Sequence, residues 1–395
     1  MRAALVAGDE AGHAFPAFAL AQRLTAAGHS AVVFTGRRWS GVDLGAAEVA
    51  ELPGLAAADD DDDADAGAKL STRAARMATA LAPELAGRFD VVIGDVITKA
   101  GGWGAELAGI GWVELSPHPL YEQSRGLPPI GMGLAAGTTA GGRLRDRLLR
   151  ALSARAVAAG DRQRRSARES VGLPADERPA ARLIATLPAL EVRRPDWPAD
   201  AHLVGPLLWE PTDVFFDVPQ SPGPLVVVAP STAATGRGDL ADTALRGLAT
   251  DVLGRPARVV LSGLGVASAA DLRDGAGAGV AALVAGTGRQ DEVLTKAAVA
   301  VCGAGHGMLA KALGAGVPVV MVPGGGDQRE LSARVARLGA GVVVADPDPE
   351  QIADAVRRVL DDPGFSVAAQ RIAASGTSTV DPVRVVERAA AAGLS

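Results

Sequence analysis

The sequence is poor in cysteine and in aromatic residues. Cys302 is the single cysteine in 395 residues, so an internal disulfide and a cysteine-rich zinc cluster are excluded. Aromatic side chains make up only 3% of the chain, whereas alanine and glycine are abundant. Small residues allow helices to pack closely on sheets, so we expect cores built from aliphatic and small side chains.

Long apolar runs and an excess of positive charge are also missing. No run of apolar residues is long enough to span a membrane. The net charge of -6 argues against broad nucleic-acid binding, which needs a clustered basic surface. Asp9 and Glu10 interrupt the N-terminal apolar run before it reaches the length of a signal peptide. We expect a cytoplasmic monomer or homodimer without stable membrane insertion and without a nucleic-acid partner.

The N-terminal half has the pattern of an α/β domain. Residues 2–7 predict a strand, residues 16–27 an amphipathic helix that stops at Gly28, and residues 30–35 a second strand. This β-α-β order is typical of a parallel sheet. Further strands are predicted at residues 90–94, 111–115, 182–185 and 202–204, and helices at residues 99–108 and 143–171.

The same pattern restarts after a proline-rich segment. Residues 205–224 contain five prolines and no periodicity, which predicts an interdomain linker. Six buried strands are then predicted at residues 225–229, 258–262, 280–284, 299–302, 317–322 and 341–344. The predicted organisation is an N-terminal domain at 1–204, the linker at 205–224, a C-terminal domain at 225–379 and a terminal helix within 380–395.

A run of five aspartates, Asp59 to Asp63, stands out within the first half. Like charges in one run repel each other, so this segment is predicted to be a solvated, mobile loop. Its spacing does not match that of a calcium loop, and we predict no metal site in the chain.

Two glycine-rich segments in the second half are candidate ligand sites, the first for an anion and the second for hydroxyl groups. Residues 302–316, CGAGHGMLAKALGAG, predict a strand followed by a tight turn and a helix that starts near Gly305. The free N–H groups of such a helix N-terminus suit a diphosphate. The same sequence pattern is also typical of a tight strand-to-helix turn that binds no ligand. Residues 316–328 end in Asp327 and Gln328, which suit the hydroxyl groups of a sugar. Asp327 alternatively caps the helix predicted at residues 328–338.

These segments, in this order, resemble the nucleotide-sugar box of family 1 glycosyltransferases, notably the actinobacterial natural-product enzymes. The segment HLVGPLLW at residues 202–209 and the AGH…P…LA pattern that begins at Ala11 agree with the same family. The resemblance covers essentially the whole chain. It implies a GT-B fold, in which two Rossmann-like domains with parallel sheets face each other across a cleft. It also implies a metal-independent, inverting transfer from a nucleoside-diphosphate sugar (NDP-sugar) to a small apolar acceptor, with no cofactor.

The resemblance assigns the catalytic pair. His13 matches the general base that deprotonates the acceptor hydroxyl, and a His on the loop after the first strand would face the cleft with a suitable pKa. Asp95, after the strand at residues 90–94, matches the acid that orients this base. Each residue also has a structural interpretation, since His13 fits a helix cap or a core position and Asp95 fits a helix N-cap.

The remaining candidates divide between donor and acceptor. His118 follows a strand and is predicted to line the acceptor pocket, together with Phe15 and Trp103. His29 and His202 are predicted to be structural. The predicted donor-binding residues are Ser231, Arg289, Gln290, Gly303, Gly305, His306, Gly307, Met308, Lys311, Asp327 and Gln328.

The donor side departs from the family pattern at four positions. Relatives carry a His at the place of Gly303, a Thr or Ser at the place of Met308, and, where they bind UDP, often a Glu at the place of Lys311. Their base-stacking Trp is replaced by Thr287, which forfeits roughly 1–3 kcal/mol of stacking. Lys311 and Arg289 are candidates for restoring charge near a phosphate.

Three other functions remain as alternatives at this point. The donor-pocket departures suit a non-catalytic relative that acts as an auxiliary or binding protein, and the fold also suits a sugar-nucleotide epimerase. A nicotinamide oxidoreductase is disfavoured, because GDEAGH at residues 8–13 replaces the expected GxGxxG after the first strand.

Overall fold

The computed structural model describes residues 1–55, 66–232 and 236–393. The aspartate run at residues 59–63 lies outside the described residues, so the loop prediction made for it stays a prediction. In the described part of the chain, strands and helices alternate and form two separate parallel sheets.

The first sheet has seven parallel strands in the order β3-β2-β1-β4-β5-β6-β7. Its strands are β1 Arg2–Val6, β2 Ser30–Thr35, β3 Glu48–Glu51, β4 Val91–Asp95, β5 Trp112–Ser116, β6 Ala181–Ile184 and β7 Ala201–Leu203. The helices of this half are α1 Ala11–Ala26, α2 Ala66–Leu85, α3 Ala100–Leu107 and α4 Ala140–Glu169.

The second sheet has six parallel strands in the order β10-β9-β8-β11-β12-β13. Its strands are β8 Leu225–Ala229, β9 Arg258–Ser262, β10 Ala282–Gly286, β11 Val299–Cys302, β12 Val319–Met321 and β13 Gly341–Val343. The helices that follow the linker are α5 Leu240–Gly247, α6 Thr250–Leu253, α7 Ala269–Arg273, α8 Gln290–Leu294, α9 His306–Gly314, α10 Gln328–Arg337, α11 Pro349–Asp361, α12 Pro363–Ser375 and α13 Pro382–Gly393.

Aliphatic runs explain why these strands sit inside their sheets. Every residue of β8, Leu-Val-Val-Val-Ala, is buried, as is every residue of β11. A parallel sheet covered by helices on both faces buries both sides of each central strand, so continuous apolar runs replace alternation. The predicted two-half α/β architecture is confirmed.

Most predicted strands agree with the structure to within two residues, but two features differ. β3 was not predicted. It lies at the edge of the sheet, where a strand is only partly buried, and its sequence Glu-Val-Ala-Glu therefore has no apolar run. Helix α1 begins at Ala11 rather than at Pro16. Proline favours the first turn of a helix because it has no N–H to leave unpaired, whereas an interior proline removes a hydrogen bond and strains the helix. Here Pro16 nevertheless lies within α1.

The strand orders bring specific loops together. In each sheet the chain winds outward in one direction and then returns to the middle, so β1 lies beside β4 and β8 lies beside β11. Ligands bind at such switch points, beyond the carboxyl ends of the central strands. The residues that follow β1 and end β4 therefore meet in the first half, and those that follow β8 and β11 meet in the second.

The segment at residues 205–224 packs against both halves. Leu207 and Trp209 belong to the core of the first sheet, whereas Phe216 and Val218 pack against the core of the second. The predicted domain boundaries at either end of this segment stay predictions.

The C-terminal helix α13 returns to the first half of the chain. Its residues Val383, Val385 and Val386 are buried in the same core as helix α1. His29 adds a 2.9 Å contact from Nε2 to Glu387 on α13, in keeping with its predicted structural role. Among the described residues, no helix has both the length and the apolar character needed to cross a membrane.

Candidate active site

A cavity of about 320 Å³ lies between the two halves and is lined by residues of both, together with the linker. The predicted site residues that line it are His13, Phe15, His118, Ser231, Gln290, Gly303, Gly305, His306, Gly307, Met308, Lys311, Asp327 and Gln328. Sheet topology explains this convergence, because these residues follow the carboxyl ends of strands or lie on the helices that begin there. Asp95, Trp103 and Arg289 do not line the cavity themselves and are described below.

His13 and Asp95 form a hydrogen-bonded pair on the first-half side of the cavity. His13 lies in the first turn of α1, not on a loop as predicted, and Asp95 is the last residue of β4. His13 Nδ1 is 2.7 Å from Asp95 Oδ1, while Asp95 Oδ2 accepts the N–H of Thr98 at 2.8 Å. A carboxylate only accepts, so Nδ1 carries the proton of a neutral ring and Nε2 carries the lone pair. This is the tautomer that a general base facing the cavity requires.

The pair also sets the protonation of the imidazole. Burial lowers the pKa of His13, but the charge and hydrogen bond of Asp95 raise it, and the net pKa lies above the ordinary 6.5. Burial raises the pKa of Asp95, whereas His13 and Thr98 lower it, and the net pKa lies below the ordinary 3.8. Asp95 therefore stays ionised when His13 is neutral, and it stabilises the imidazolium once a proton is taken up.

His118 presents a second imidazole to the cavity. Its Nδ1 donates to the carbonyl oxygen of Pro119 at 2.8 Å, and burial lowers its pKa. The ring is therefore neutral near pH 7 with Nε2 unprotonated, so it offers the cavity a hydrogen-bond acceptor. Phe15 lines the same side and contacts Trp209 edge-on, with ring centroids 4.8 Å apart.

The second half contributes the N-terminus of helix α9. The helix begins at His306 after the turn at residues 303–305. Ala304 has a φ of 60°, the one positive value among the described non-glycine residues. This backbone conformation costs about 1–3 kcal/mol and is common where a turn is built for a ligand. A Cβ added at Gly305 or Gly307 would meet nothing within 4 Å, so the backbone there is open to a ligand.

The glycine at position 303 is explained by its neighbour. A Cβ at Gly303 would lie 2.9 Å from the Cβ of Ser231, which follows β8 at the switch point. A side chain at 303 thus requires Ser231 to shift, and the His that the resemblance predicts at this position does not fit this turn as it stands. His306 does not replace its charge. Burial lowers the pKa of His306 to about 3, and its Nε2 lies 2.9 Å from Thr186 Oγ1.

Asp327 and Gln328 lie together beside this turn, but their side chains are engaged differently. Gln328 Oε1 accepts the N–H of Gly324 at 2.8 Å, and its Nε2 donates to Ser231 at 3.2 Å, which leaves one amide N–H. Asp327 occupies the N-cap position of α10 but makes no capping bond. Asp327 therefore immediately precedes the helix as predicted, but its side chain does not cap it, and the residue lines the cavity instead.

Lys311 is neutralised by an acid that the sequence did not reveal as part of the site. Its Nζ lies 2.7 Å from Glu210, a linker residue, and donates to Gln290 Oε1 at 3.0 Å. Glu210 also accepts the backbone N–H groups of Gln290 and Asp291. The reversed charge at position 311 is thus balanced inside the protein, and the prediction that Lys311 restores charge near a phosphate is not supported.

The prediction that Arg289 binds the donor is wrong. Its guanidinium pairs with Asp291 and lies 3.6 Å from Asp213, and the side chain is absent from the cavity lining. Gln290, the next residue, does line the cavity. Arg289 therefore fixes the linker against α8 and offers no free charge to a donor.

The prediction that Trp103 lines the acceptor pocket is wrong. The side chain is fully buried, donates from Nε1 to Glu177 at 3.0 Å and lies 5.5 Å below the guanidinium of Arg168. It is the fourth residue of α3 and faces helices α2 and α4, away from the cleft. Its ring packs in a small hydrophobic core with residues of α2, and its indole N–H has a hydrogen-bond partner, as is usual for a buried Trp.

We expect the Glu210–Lys311 pair to be needed for stability. Lys311→Met leaves the Glu210 carboxylate buried without a counterion, and such losses cost about 3–5 kcal/mol. Urea unfolding should therefore show a clearly lower free energy of unfolding for this variant. Lys296→Met makes the same chemical change at an exposed lysine and should leave stability within about 0.5 kcal/mol of wild type. Equal stabilities of the two variants would contradict this role for the pair.

Comparison with known proteins identifies relatives of this chain. The family model of the erythromycin biosynthesis protein CIII-like C-terminal domain matches residues 290–392. The 4'-demethylrebeccamycin synthase of Lentzea aerocolonigenes is 30% identical over 322 residues, which cover 75% of this chain and 73% of that protein.

Solved structures share the fold at low identity. The glycotransferase of kitacinnamycin has a TM-score of 0.72 at 19% identity and is matched over 98% of both chains. The spinosyn rhamnosyltransferase SpnG complexed with thymidine diphosphate has a TM-score of 0.67 at 19% identity, over 98% of this chain and 99% of that one. With the homology to the rebeccamycin enzyme, these findings favour the transferase prediction over the auxiliary and epimerase alternatives. The chain belongs to the GT-B glycosyltransferases of actinobacterial natural-product biosynthesis.

Proposed function

We propose that this glycosyltransferase moves a sugar from an NDP-sugar to a hydroxyl group of a small apolar acceptor, with inversion and without a metal. The observation that carries the proposal is the His13–Asp95 pair, which shares one cavity with the N-terminus of helix α9. A base on one side and an anion site on the other are the two requirements of the reaction.

The donor diphosphate would rest on backbone N–H groups at residues 305–308. The first N–H groups of a helix have no partner within it, and the helix dipole favours an anion there. The side chains of Lys311 and His306 supply little charge, because the first is paired and the second is neutral. The leaving diphosphate is therefore stabilised chiefly by the main chain, and this explains how Gly303 and Met308 are tolerated.

A thymidine diphosphate sugar is the donor we favour. SpnG, which has the same fold, was solved with thymidine diphosphate. At position 311, where UDP-binding relatives often carry a Glu for the ribose hydroxyl groups, this chain has a lysine that is paired with Glu210. Deoxyribose has one hydroxyl group fewer to satisfy, so the missing acceptor costs less with a deoxynucleotide.

The acceptor would lie against the apolar side of the cavity. Its walls there are Phe15, Pro16, Pro117, Leu207, Leu208 and Trp209. Such a surface suits a largely apolar molecule, with a few polar groups that fix its orientation. Nε2 of His118 is one such group and would accept a hydrogen bond from an acceptor hydroxyl.

The reaction would proceed in one displacement. The acceptor oxygen attacks the anomeric carbon from the face opposite the diphosphate, and its proton passes to His13 Nε2. The bond between the anomeric carbon and the phosphate oxygen breaks, and its electron pair leaves with the diphosphate. Asp95 holds the ring and stabilises the imidazolium that forms. A single displacement of this kind inverts the configuration at the anomeric carbon.

The experiment is a transfer assay with defined donors. TDP-glucose and UDP-glucose are incubated in EDTA with a panel of hydroxylated aromatic and polyketide acceptors, and products are identified by mass spectrometry. We expect glycosylated product from TDP-glucose and at least about tenfold weaker binding of UDP than of TDP by calorimetry. A chain that binds neither nucleotide, or that interconverts free donors without an acceptor, would contradict the proposal.

A further inference from the structure

One hydrogen bond links the acceptor side of the cleft to a donor-side residue. The hydroxyl group of Tyr121 donates to Oδ2 of Asp327 at 3.1 Å. Tyr121 is the single tyrosine of the chain and lies in the loop after β5, whereas Asp327 immediately precedes α10 in the second half. The bond therefore exists only while the two halves keep this arrangement.

The tyrosine ring is held firmly where it makes this bond. It stacks on His118 with ring centroids 4.4 Å apart and an interplanar angle of 19°. The guanidinium of Arg334, on α10, lies 5.8 Å from the ring centroid. Burial and the nearby Asp327 raise the pKa of Tyr121 well above 10, so its hydroxyl group stays protonated and acts as a donor.

The loop that carries Tyr121 is bound to the same helix at a second point. Glu330, on the first turn of α10, accepts the backbone N–H of Gly133 at 2.9 Å. Glu330 is itself paired with Arg334 at 3.0 Å. The loop and the start of α10 thus form one connected unit, so the position of Asp327 depends on the loop as well as on its own turn.

The two oxygens of Asp327 consequently differ. Oδ2 is taken by Tyr121, whereas Oδ1 has no hydrogen-bond partner among the described residues, and Asp327 lines the cavity. A carboxylate with one oxygen fixed presents the other in a defined direction. Without that bond it would rotate between several directions, and a hydroxyl group would bind it less well.

We propose that Tyr121 is a positioning residue that aims Asp327 at a hydroxyl group of the donor sugar. The inference rests on the proposed function, since it takes Asp327 as a sugar contact. It adds that the acceptor half controls how the donor sugar is held. Because the tyrosine ring also packs on His118, displacement of the loop would disturb both substrates together.

Tyr121→Phe tests this directly, because it removes only the hydroxyl group and keeps the ring that stacks on His118. Calorimetry with TDP and with TDP-glucose separates the nucleotide from the sugar. We expect TDP affinity within a factor of two of wild type and TDP-glucose affinity about fivefold lower or weaker still. Trp197→Phe, which removes a hydrogen bond to the Ala201 carbonyl away from the cavity, should leave both affinities unchanged.

A double-mutant cycle with Asp327→Ala distinguishes positioning from a general structural effect, because alanine has no oxygen that could accept the Tyr121 hydroxyl group. If Tyr121 acts through Asp327, adding Tyr121→Phe to Asp327→Ala should change TDP-glucose affinity by less than twofold. Full additivity, equal losses for TDP and TDP-glucose, or wild-type affinity in Tyr121→Phe would each overturn the role of Tyr121 but not the sugar contact of Asp327. Wild-type TDP-glucose affinity in Asp327→Ala would overturn the sugar contact itself, and with it this part of the proposed function.

Discussion

His13→Ala should reduce kcat for sugar transfer by about 10²–10⁴-fold, the range in which a positioned general base contributes. The variant keeps the cavity and the N-terminus of α9, but no other described group stands where the Asp95-bound imidazole stands. His118 does not substitute for it. Its pKa is lowered and it makes no hydrogen bond with a carboxylate that would stabilise the protonated ring.

Nucleotide binding separates a catalytic role of His13 from a structural one. TDP affinity, measured by calorimetry, should stay within a factor of two of wild type, because the proposed phosphate contacts lie in the second half. His29→Ala is the matched control, since His29 contacts Glu387 on α13 at a distance from the cavity. It should retain nearly full activity. Full activity in His13→Ala would remove the base from the proposed mechanism.

The fold was predictable because its signals are local and repeated. Runs such as the Leu-Val-Val-Val-Ala of β8 identify buried parallel strands without any knowledge of their neighbours. β3 escaped prediction because an edge strand needs little burial, and its Glu-Val-Ala-Glu sequence carries no such signal. The start of α1 differs from the prediction because proline usually marks the first turn of a helix, whereas Pro16 is internal to α1.

The candidate site was predictable where it follows from strand order. His13 follows β1 and Asp95 ends β4, and in a Rossmann-like sheet these strands are neighbours. Contacts between segments that are distant in sequence were not predictable. Nothing in a single sequence connects Glu210 with Lys311, because this contact depends on how the linker packs on the second half. The contact of Tyr121 with Asp327 depends on how the two halves are placed.

Two site predictions failed for a common reason. The residue types of Trp103 and Arg289 suit a binding site, but the direction of a side chain decides its role. On α3, Trp103 faces the helices behind the sheet, and Arg289 turns toward acids of the linker and α8. The face of a helix that packs on the sheet decides which of its side chains point into the cleft. A helix as short as α8 has too few residues for the sequence pattern to show which face that is.

Asp95→Asn should lower kcat by about 10²-fold or more, by analogy with catalytic triads, because an amide no longer enforces the tautomer with Nδ1 protonated. The same change should alter the pH profile. With the charge of Asp95 gone, burial dominates and the pKa of His13 falls. A base works only when neutral, so kcat/KM of the wild type should decline as the pH drops through a pKa above 6.5. In the variant this acid-side decline should move to lower pH, on a much lower plateau.

The control for this variant lies at the other end of the same strand segment. Asp90 accepts the N–H of Arg2 at 2.6 Å from a partly exposed position just before β4. Asp90→Asn therefore makes the same chemical change and should keep both the plateau and the pH profile. An acid-side decline of Asp95→Asn that moved to higher pH, or a plateau equal to that of wild type, would show that Asp95 does not set the charge of the base. Burial lowers the pKa of His13 and the Asp95 carboxylate raises it. A shift of the acid-side decline to lower pH therefore shows that the substitution has removed the effect of the carboxylate.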